Sequence, residues 1–359
     1  MLKKGTTYSC VAKTMAGMED ILIEELESLG ISEIEKVTRA VTFTTDMAGI
    51  YRVNYWSRFA LRVLVDIHQY KAFDEKRLHS KAMQFPWETL LDPSKTFAID
   101  SAVHSELHTH SHFASLRVKD AIADYFVDKV GTRPDVDLEN PDVRIHVHIE
   151  DQEVQLAVDS SGESLHKRGY RSKHFEAPLN EVLAAGMIKL SGWTRDQVFW
   201  DPMCGSGTLI CEAAMMANGI APQVMRQRFG FMNWEGFDAK LWEEIKQEKH
   251  GHSEEKHAKI YGSDLNLLAV NVAAEHLKNL GLYQAVKLKR EDFLLAPRHA
   301  PSGIIVINPP YGVRLEKMDV DKFYEDIANR LKHHLTGWQA WIFTSNAEAM
   351  KSFGLKHSK

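Results

Sequence analysis

The stretch that most restricts the fold is Ile304-Ile305-Val306-Ile307 running straight into Asn308-Pro309-Pro310-Tyr311. Four consecutive branched apolar residues leave no wet face, so they read as a strand buried inside a sheet. The two prolines then fix φ and remove two backbone donors, ending the strand in a rigid turn. Short strands of the same kind are predicted at 198–200, 260–262, 286–288 and 340–343, with helices filling the gaps. From about residue 165 the chain is therefore expected to be α/β, with a parallel doubly wound sheet.

The first 164 residues lack that alternation and read as two α+β segments. Residues 1–59 predict a strand at 7–12, a helix at 18–29 stopped by Gly30, strands at 34–37 and 41–43, and a helix at 47–56. Residues 60–164 predict a strand at 61–67, a helix at 75–83 and a strand at 96–102. A long helix at 112–130 should turn Leu116, Val118, Ala121, Ile122, Tyr125, Phe126 and Val130 inward. Residues 143–150 alternate as a strand with one wet face, and a further strand follows at 154–158. Within the third segment, 165–359, residues 226–257 read as a charged, Trp-bearing helical excursion ahead of the second strand.

Bulk properties narrow the class. A chain of 359 residues suggests two or three domains, and 44% hydrophobic with 26% charged residues is ordinary for a globular protein. Three cysteines without a CxxC pair point to a reducing, cytoplasmic setting. No apolar h-region follows the N-terminal lysines and no run reaches the ~18 residues of a membrane helix, so neither a signal peptide nor a membrane is expected. The net charge of −5 argues mildly against a nucleic-acid partner. A local basic face, however, dominates contacts within a Debye length of roughly 8–10 Å.

The strand at 198–200 opens into Asp201-Pro202-Met203-Cys204-Gly205-Ser206-Gly207-Thr208 and a helix. Glycines in such a turn admit a ligand close to the backbone, and the helix start offers free amide donors. Taken alone, the GxG is equally a tight strand–helix turn. Asp201 would repel a pyrophosphate but suits an ammonium, and the six-residue dinucleotide fingerprint is missing. Asp264, followed by Leu265, ends the next strand, where an acid can accept from both ribose hydroxyls. Asp292 follows the third strand and could accept from an adenine amine while Phe293 packs on the ring. Three acids at successive strand ends share the edge where open α/β sheets bind ligands.

The Asn-Pro-Pro-Tyr turn reaches that same edge. The side-chain carbonyl of Asn308 and the backbone carbonyl of Pro309 can both accept from an exocyclic amine, and Pro310 stiffens the turn. Tyr311 can stack on a base. The amine sheds its proton after attack, so positioning replaces a strong base.

On these residues, 165–359 resembles the class I methyltransferases of the Asn-Pro-Pro-Tyr type. Nearly the whole chain resembles the THUMP-containing bacterial 23S rRNA guanine-N2 methyltransferases. The matching stretches also include Ala16-Gly17-Met18-Glu19, residues 116–122, Lys167-Arg168-Gly169-Tyr170-Arg171 and Ala177-Pro178-Leu179-Asn180-Glu181. The resemblance implies a ferredoxin-like piece, a THUMP RNA-binding domain and a Rossmann-like domain using S-adenosylmethionine. By position, Asp201, Pro202, Cys204, Gly205, Ser206, Gly207 and Thr208 would wrap the methionine end, and Asp264 with Leu265 the ribose. Asp292 and Phe293 would meet adenine, while Asn308 to Tyr311 would hold the target amine. Asn180 departs from the basic residue frequent in the family, which weakens a charge contact there. The sequence stops soon after the fifth strand, where the fold normally adds a closing antiparallel hairpin, so either a tail is lacking or that edge of the sheet is unusual. The expected partner is 23S rRNA or a pre-ribosomal particle, met by a monomer. A tRNA guanine-N2 enzyme, an adenine-N6 methylase and a non-catalytic ribosome-assembly factor are the competing readings.

Residues 166–174 hold four formal positive charges and no acid, and are expected to contact RNA phosphate through Lys167, Arg168, Arg171 and Lys173. The histidines at 104, 108, 110 and 112 lack a second ligand pair, so no metal is expected. Cys204 lies in the cofactor loop and is not expected to be a nucleophile.

Overall fold

The computed structural model describes residues 5–105, 111–171, 178–250, 258–309, 320–344 and 353–354. In chain order come β1 (Tyr8–Lys13), α1 (Glu19–Ser28), β2 (Ser32–Val37), β3 (Ala40–Thr45), α2 (Met47–Trp56) and β4 (Arg62–Lys71). Next are α3 (Glu75–Ala82), β5 (Thr96–His104), α4 (Ser111–Val130), β6 (Asp135–Val136), β7 (Val143–Glu150) and β8 (Glu153–Asp159). Then follow α5 (Glu181–Leu190), β9 (Phe199–Asp201), α6 (Thr208–Ala217), α7 (Ala239–Gln247) and β10 (Ile260–Asp264). The last are α8 (Leu267–Asn279), β11 (Val286–Arg290), β12 (Gly303–Ile307), α9 (Val320–His334) and β13 (Trp338–Ile342). The chain divides into two compact units, residues 1–167 with 226–248 and residues 168–225 with 249–359.

In the first unit, one eight-stranded sheet in the order β2-β3-β1-β4-β8-β7-β5-β6 joins the two α+β segments. The joint is β4, ten residues long, which pairs antiparallel with β1 on one side and β8 on the other. Helix α4 buries Val118, Ala121, Ile122 and Phe126, but Leu116 and Val130 are 37% and 57% exposed. Leu116 sits two residues from Val118, on the far side of a 3.6-residue turn, and Val130 is the terminal residue of the helix. The wet face expected of β7 is also closed in part. His146 is 9% exposed, its Nε2 3.7 Å from Asp100 and 3.6 Å from the buried Asp159, which Arg62 also pairs.

The excursion expected within the third segment belongs, over 226–248, to this first unit. Its aromatic residues decide that. Phe231, Phe237 and Trp242 ring Tyr51 of α2 at centroid distances of 4.4, 5.9 and 5.9 Å. Arg52 of α2 donates through Nε and Nη2 to both carboxylate oxygens of Glu248, each at 2.7 Å.

The second unit is a five-stranded parallel sheet in the order β11-β10-β9-β12-β13. Successive strands grow outward from β9 to β11, then return to β12 beside β9. That reversal is the point at which open sheets form a ligand crevice. β12 shows why its residues are all apolar. Ile304 and Val306 enter a core with Ile210, Ala214 and Leu277, while Ile305 and Ile307 enter another with Tyr324, Ile327 and Leu331. A strand with a core on each face has no place for a polar residue. Among the described residues no helix is long and apolar enough to cross a membrane.

Candidate cofactor and amine site

The turn from β9 into α6 depends on its glycines. Gly205 and Gly207 adopt left-handed φ values of +51° and +83°. A Cβ on Gly207 would stand 2.7 Å from that of Ala273 on α8, so only glycine lets the turn settle there. A Cβ on Gly205 would meet nothing within 4 Å, so that peptide borders open space. The turn is stitched to the end of β10. Cys204 N–H donates to the Ser263 carbonyl at 2.9 Å, and Gly205 N–H to Asp264 Oδ2, also at 2.9 Å. Pro202, Ser206 and Thr208 are buried around it.

Asp201 is 1% exposed and accepts only a long bond, 3.3 Å, from Met203 N–H among the described residues. Burial, reinforced by nearby Asp264, pushes its carboxyl well above the usual range. A cation arriving beside a buried acid in this condition would stabilise its carboxylate form. Asp264 also accepts from Asn266 N–H at 2.8 Å, and Leu265 beside it is 63% exposed, an apolar surface at the sheet edge. Asp292 accepts from Leu294 N–H at 2.9 Å and so shapes its own turn. Phe293 is placed differently from the expectation. Its ring is 3% exposed and packs edge-on against Trp200 at 5.6 Å, which commits it to the core and not to a bound adenine. Burial raises the Cys204 thiol well above its ordinary pKa, with Asp201 and Asp264 acting in the same sense, which disfavours a thiolate nucleophile.

Asn308 is the first residue past β12, beside β9 at the reversal of strand order. Its Oδ1 is buried and has no hydrogen-bond partner among the described residues, whereas buried acceptors are ordinarily paired. Pro309 is buried next to it. Pro310, Tyr311 and Lys173 lie outside the described residues.

The expected phosphate strip is corrected at two of its members. Arg168 is 1% exposed and its Nε donates to Glu212 at 3.2 Å, with both side chains fully enclosed. Arg171 donates to Glu181 at 2.6 Å, to the Leu179 carbonyl at 2.8 Å and to Thr208 Oγ1 at 3.0 Å. Tyr170 between them is 1% exposed. A charge run in sequence therefore becomes an internal brace, because its acids arrive from α5 and α6. Of the three that are described, Lys167 alone stays outside, paired with Glu163 at 2.7 Å. Asn180, where a charge contact was in doubt, caps α5 by accepting from Val182 and Leu183 N–H. Among the described residues no cluster could hold a metal; His108 and His110 fall outside them.

One residue at the site carries no signal in the sequence. His276 of α8 is 1% exposed and its Nδ1 lies 2.9 Å from the Ser206 carbonyl inside the glycine turn. Its partner is a backbone atom seventy residues away in the chain, which no side-chain pattern encodes.

Comparison with known proteins matches residues 168–359 to the family described as RMKL-like, methyltransferase domain. Residues 72–159 match the THUMP domain, and residues 9–64 the RlmL ferredoxin-like domain. The chain is 36% identical over 355 residues to "Ribosomal RNA large subunit methyltransferase K/L" of Syntrophotalea carbinolica, covering 96% of this chain and 50% of that protein. It thus spans about half the length of most of the curated relatives it matches. It is 35% identical to a candidate RNA methyltransferase of Synechocystis, slr0064, covering 98% of this chain and 92% of that one. The crystal structure of SMU.472, a candidate methyltransferase complexed with SAH, superposes with a TM-score of 0.85 at 28% identity, covering 98% and 93% of the two chains. The sheet reversal, the glycine turn and the domain matches agree, and the chain belongs to the RMKL-like methyltransferase family, whose co-substrate is S-adenosylmethionine.

Proposed function

We propose that this protein transfers the methyl group of S-adenosylmethionine to the exocyclic N2 amine of a guanine in 23S rRNA. The observation that carries the reading is the buried Oδ1 of Asn308 at the strand reversal, which has no hydrogen-bond partner among the described residues. A buried acceptor at the sheet edge with no donor among the described residues fits a planar-attached amine arriving from outside. The residues also suit the cofactor: Asp201 is a buried acid with no cation beside it among the described residues, and Gly205 borders open space. Asp201 would take the ammonium, the turn from Gly205 to Thr208 the carboxylate, Asp264 the ribose hydroxyls and Asp292 the adenine amine.

S-adenosylmethionine, when bound, supplies an electrophilic methyl on a sulfonium. Asn308 Oδ1 and the Pro309 carbonyl accept the two amine hydrogens and turn the nitrogen lone pair toward that methyl. Once methylated, the amine would lose its surplus proton to solvent, so Asn308 and Pro309 would hold and orient it without acting as a base. Tyr311 stacks on the base. Ribosomal RNA as substrate rests on the names of the K/L relatives and on the THUMP match, and Lys167, exposed, would meet its phosphates together with Lys173.

Incubation with labelled S-adenosylmethionine and separate 23S rRNA, 16S rRNA and tRNA, read by nucleoside mass spectrometry, tests the proposal. N2-methylguanosine in 23S rRNA is expected. Label in N6-methyladenosine, or in tRNA alone, overturns the substrate, and failure of the protein to bind S-adenosylmethionine overturns the enzyme reading.

A further inference from the structure

Helix α8 clamps the glycine turn from behind at two points one helical turn apart. Ala273 packs so closely on Gly207 that no Cβ fits between them. Three residues on, His276 Nδ1 lies 2.9 Å from the Ser206 carbonyl. A carbonyl only accepts, so the ring must carry its hydrogen on Nδ1. Nε2 is buried with no partner among the described residues, and burial lowers the ring's pKa, both of which favour the neutral ring. Gly207 N–H, on the other side of the same planar peptide, donates to the Cys204 carbonyl at 2.7 Å. A peptide tied at its carbonyl and at its amide cannot rotate. The two glycines have no Cβ to hold the backbone, so these two bonds fix the peptide between Ser206 and Gly207.

We infer that His276 is a positioning residue for the cofactor: by holding the Ser206 carbonyl through Nδ1, it fixes the 205–208 backbone in the shape that receives the amino-acid end of S-adenosylmethionine. The inference rests on the cofactor reading above. Without this bond the Ser206 carbonyl would be a buried acceptor with no donor, and the peptide would turn to find one.

Two substitutions separate this role from mere packing. Asparagine places its amide N–H near the position of Nδ1, whereas glutamine places it near Nε2. S-adenosylmethionine affinity, measured by calorimetry, should stay within about threefold in His276→Asn and fall about tenfold or more in His276→Gln. RNA affinity should be unchanged in both. Equal cofactor affinity in the two variants, or an equal loss in both, overturns the inference. Should either variant fail to fold, nitrogen-15 NMR of histidine in the unaltered protein decides: the Nδ1–H tautomer is expected, and the Nε2–H tautomer overturns the inference. A wild-type protein that binds no S-adenosylmethionine would refute the cofactor reading instead, so the two failures are distinguishable.

Discussion

The turn between β9 and α6 and the segment at 166–171 both look like ligand-contacting sequences, and they differ in where their chemistry resides. In the turn it resides in the backbone: left-handed glycines, an amide given to Asp264, a carbonyl held by His276. In the basic segment it resides in long side chains whose partners, Glu212 and Glu181, lie 44 and 10 residues further along. The conformation of that backbone is written locally, in the glycines whose φ it needs, although its partners Asp264 and His276 come from elsewhere in the chain. The destination of a guanidinium depends on which acid the fold brings to it.

Substitutions on each side can break that contrast. The largest effect is expected at the sheet edge, where Asn308→Ala should lower single-turnover methyl transfer by about a thousandfold while leaving calorimetric cofactor affinity within a few-fold. A comparable loss of cofactor affinity would mean that Asn308 holds the cofactor and not the amine. In the basic segment, Arg168→Ala should leave Glu212 buried without its cation and cost about 3–5 kcal/mol in chemical denaturation. Lys167→Ala should leave stability unchanged and shallow the salt dependence of RNA binding by about one. If Arg168→Ala instead shallowed the salt slope in a stable protein, the brace would be refuted.

A smaller difference separates the two glycines. Gly207→Ala must adopt left-handed φ and collide with Ala273, at about 2–4 kcal/mol. Gly205→Ala carries only the conformational cost, about 1–2 kcal/mol. Equal urea midpoints would show that the Ala273 contact relaxes freely. The smallest effect is the pH dependence of Asp201. Its folded pKa is raised, so its contribution is intact below the ordinary carboxylate range and is lost as pH rises toward the folded value. The melting temperature of Asp201→Asn should therefore fall less than that of the wild type over that window. Cofactor affinity should move the opposite way in the wild type, tightening as the carboxylate forms to meet the ammonium. Parallel melting curves for the two proteins would place the Asp201 carboxyl near its ordinary pKa.

Much of the second unit was legible for the reason seen in β12, whose four apolar residues divide between two cores. Short strands that must be buried on both faces announce themselves, and with them the parallel sheet and the edge carrying Asp201, Asp264 and Asn308. Phe293 was misread because an aromatic beside a binding acid looks the same whether it faces ligand or core. Leu116 was misread because one residue off the helical stripe changes a face. The aromatic excursion at 226–248 was assigned to the unit surrounding it in sequence, since nothing local told that Tyr51 and Arg52 would claim it.

The sequence by itself determined the elements whose cause is local: buried strands, glycine and proline turns, and the order in which acids meet one sheet edge. Only the tertiary structure decided which charges are enclosed, that one eight-stranded sheet unites the first two segments, and that His276 reaches the glycine turn. Those outcomes depend on groups far apart in the chain becoming neighbours, and the free energy of each, whether a paired buried charge or a satisfied carbonyl, exists only once both partners are in place.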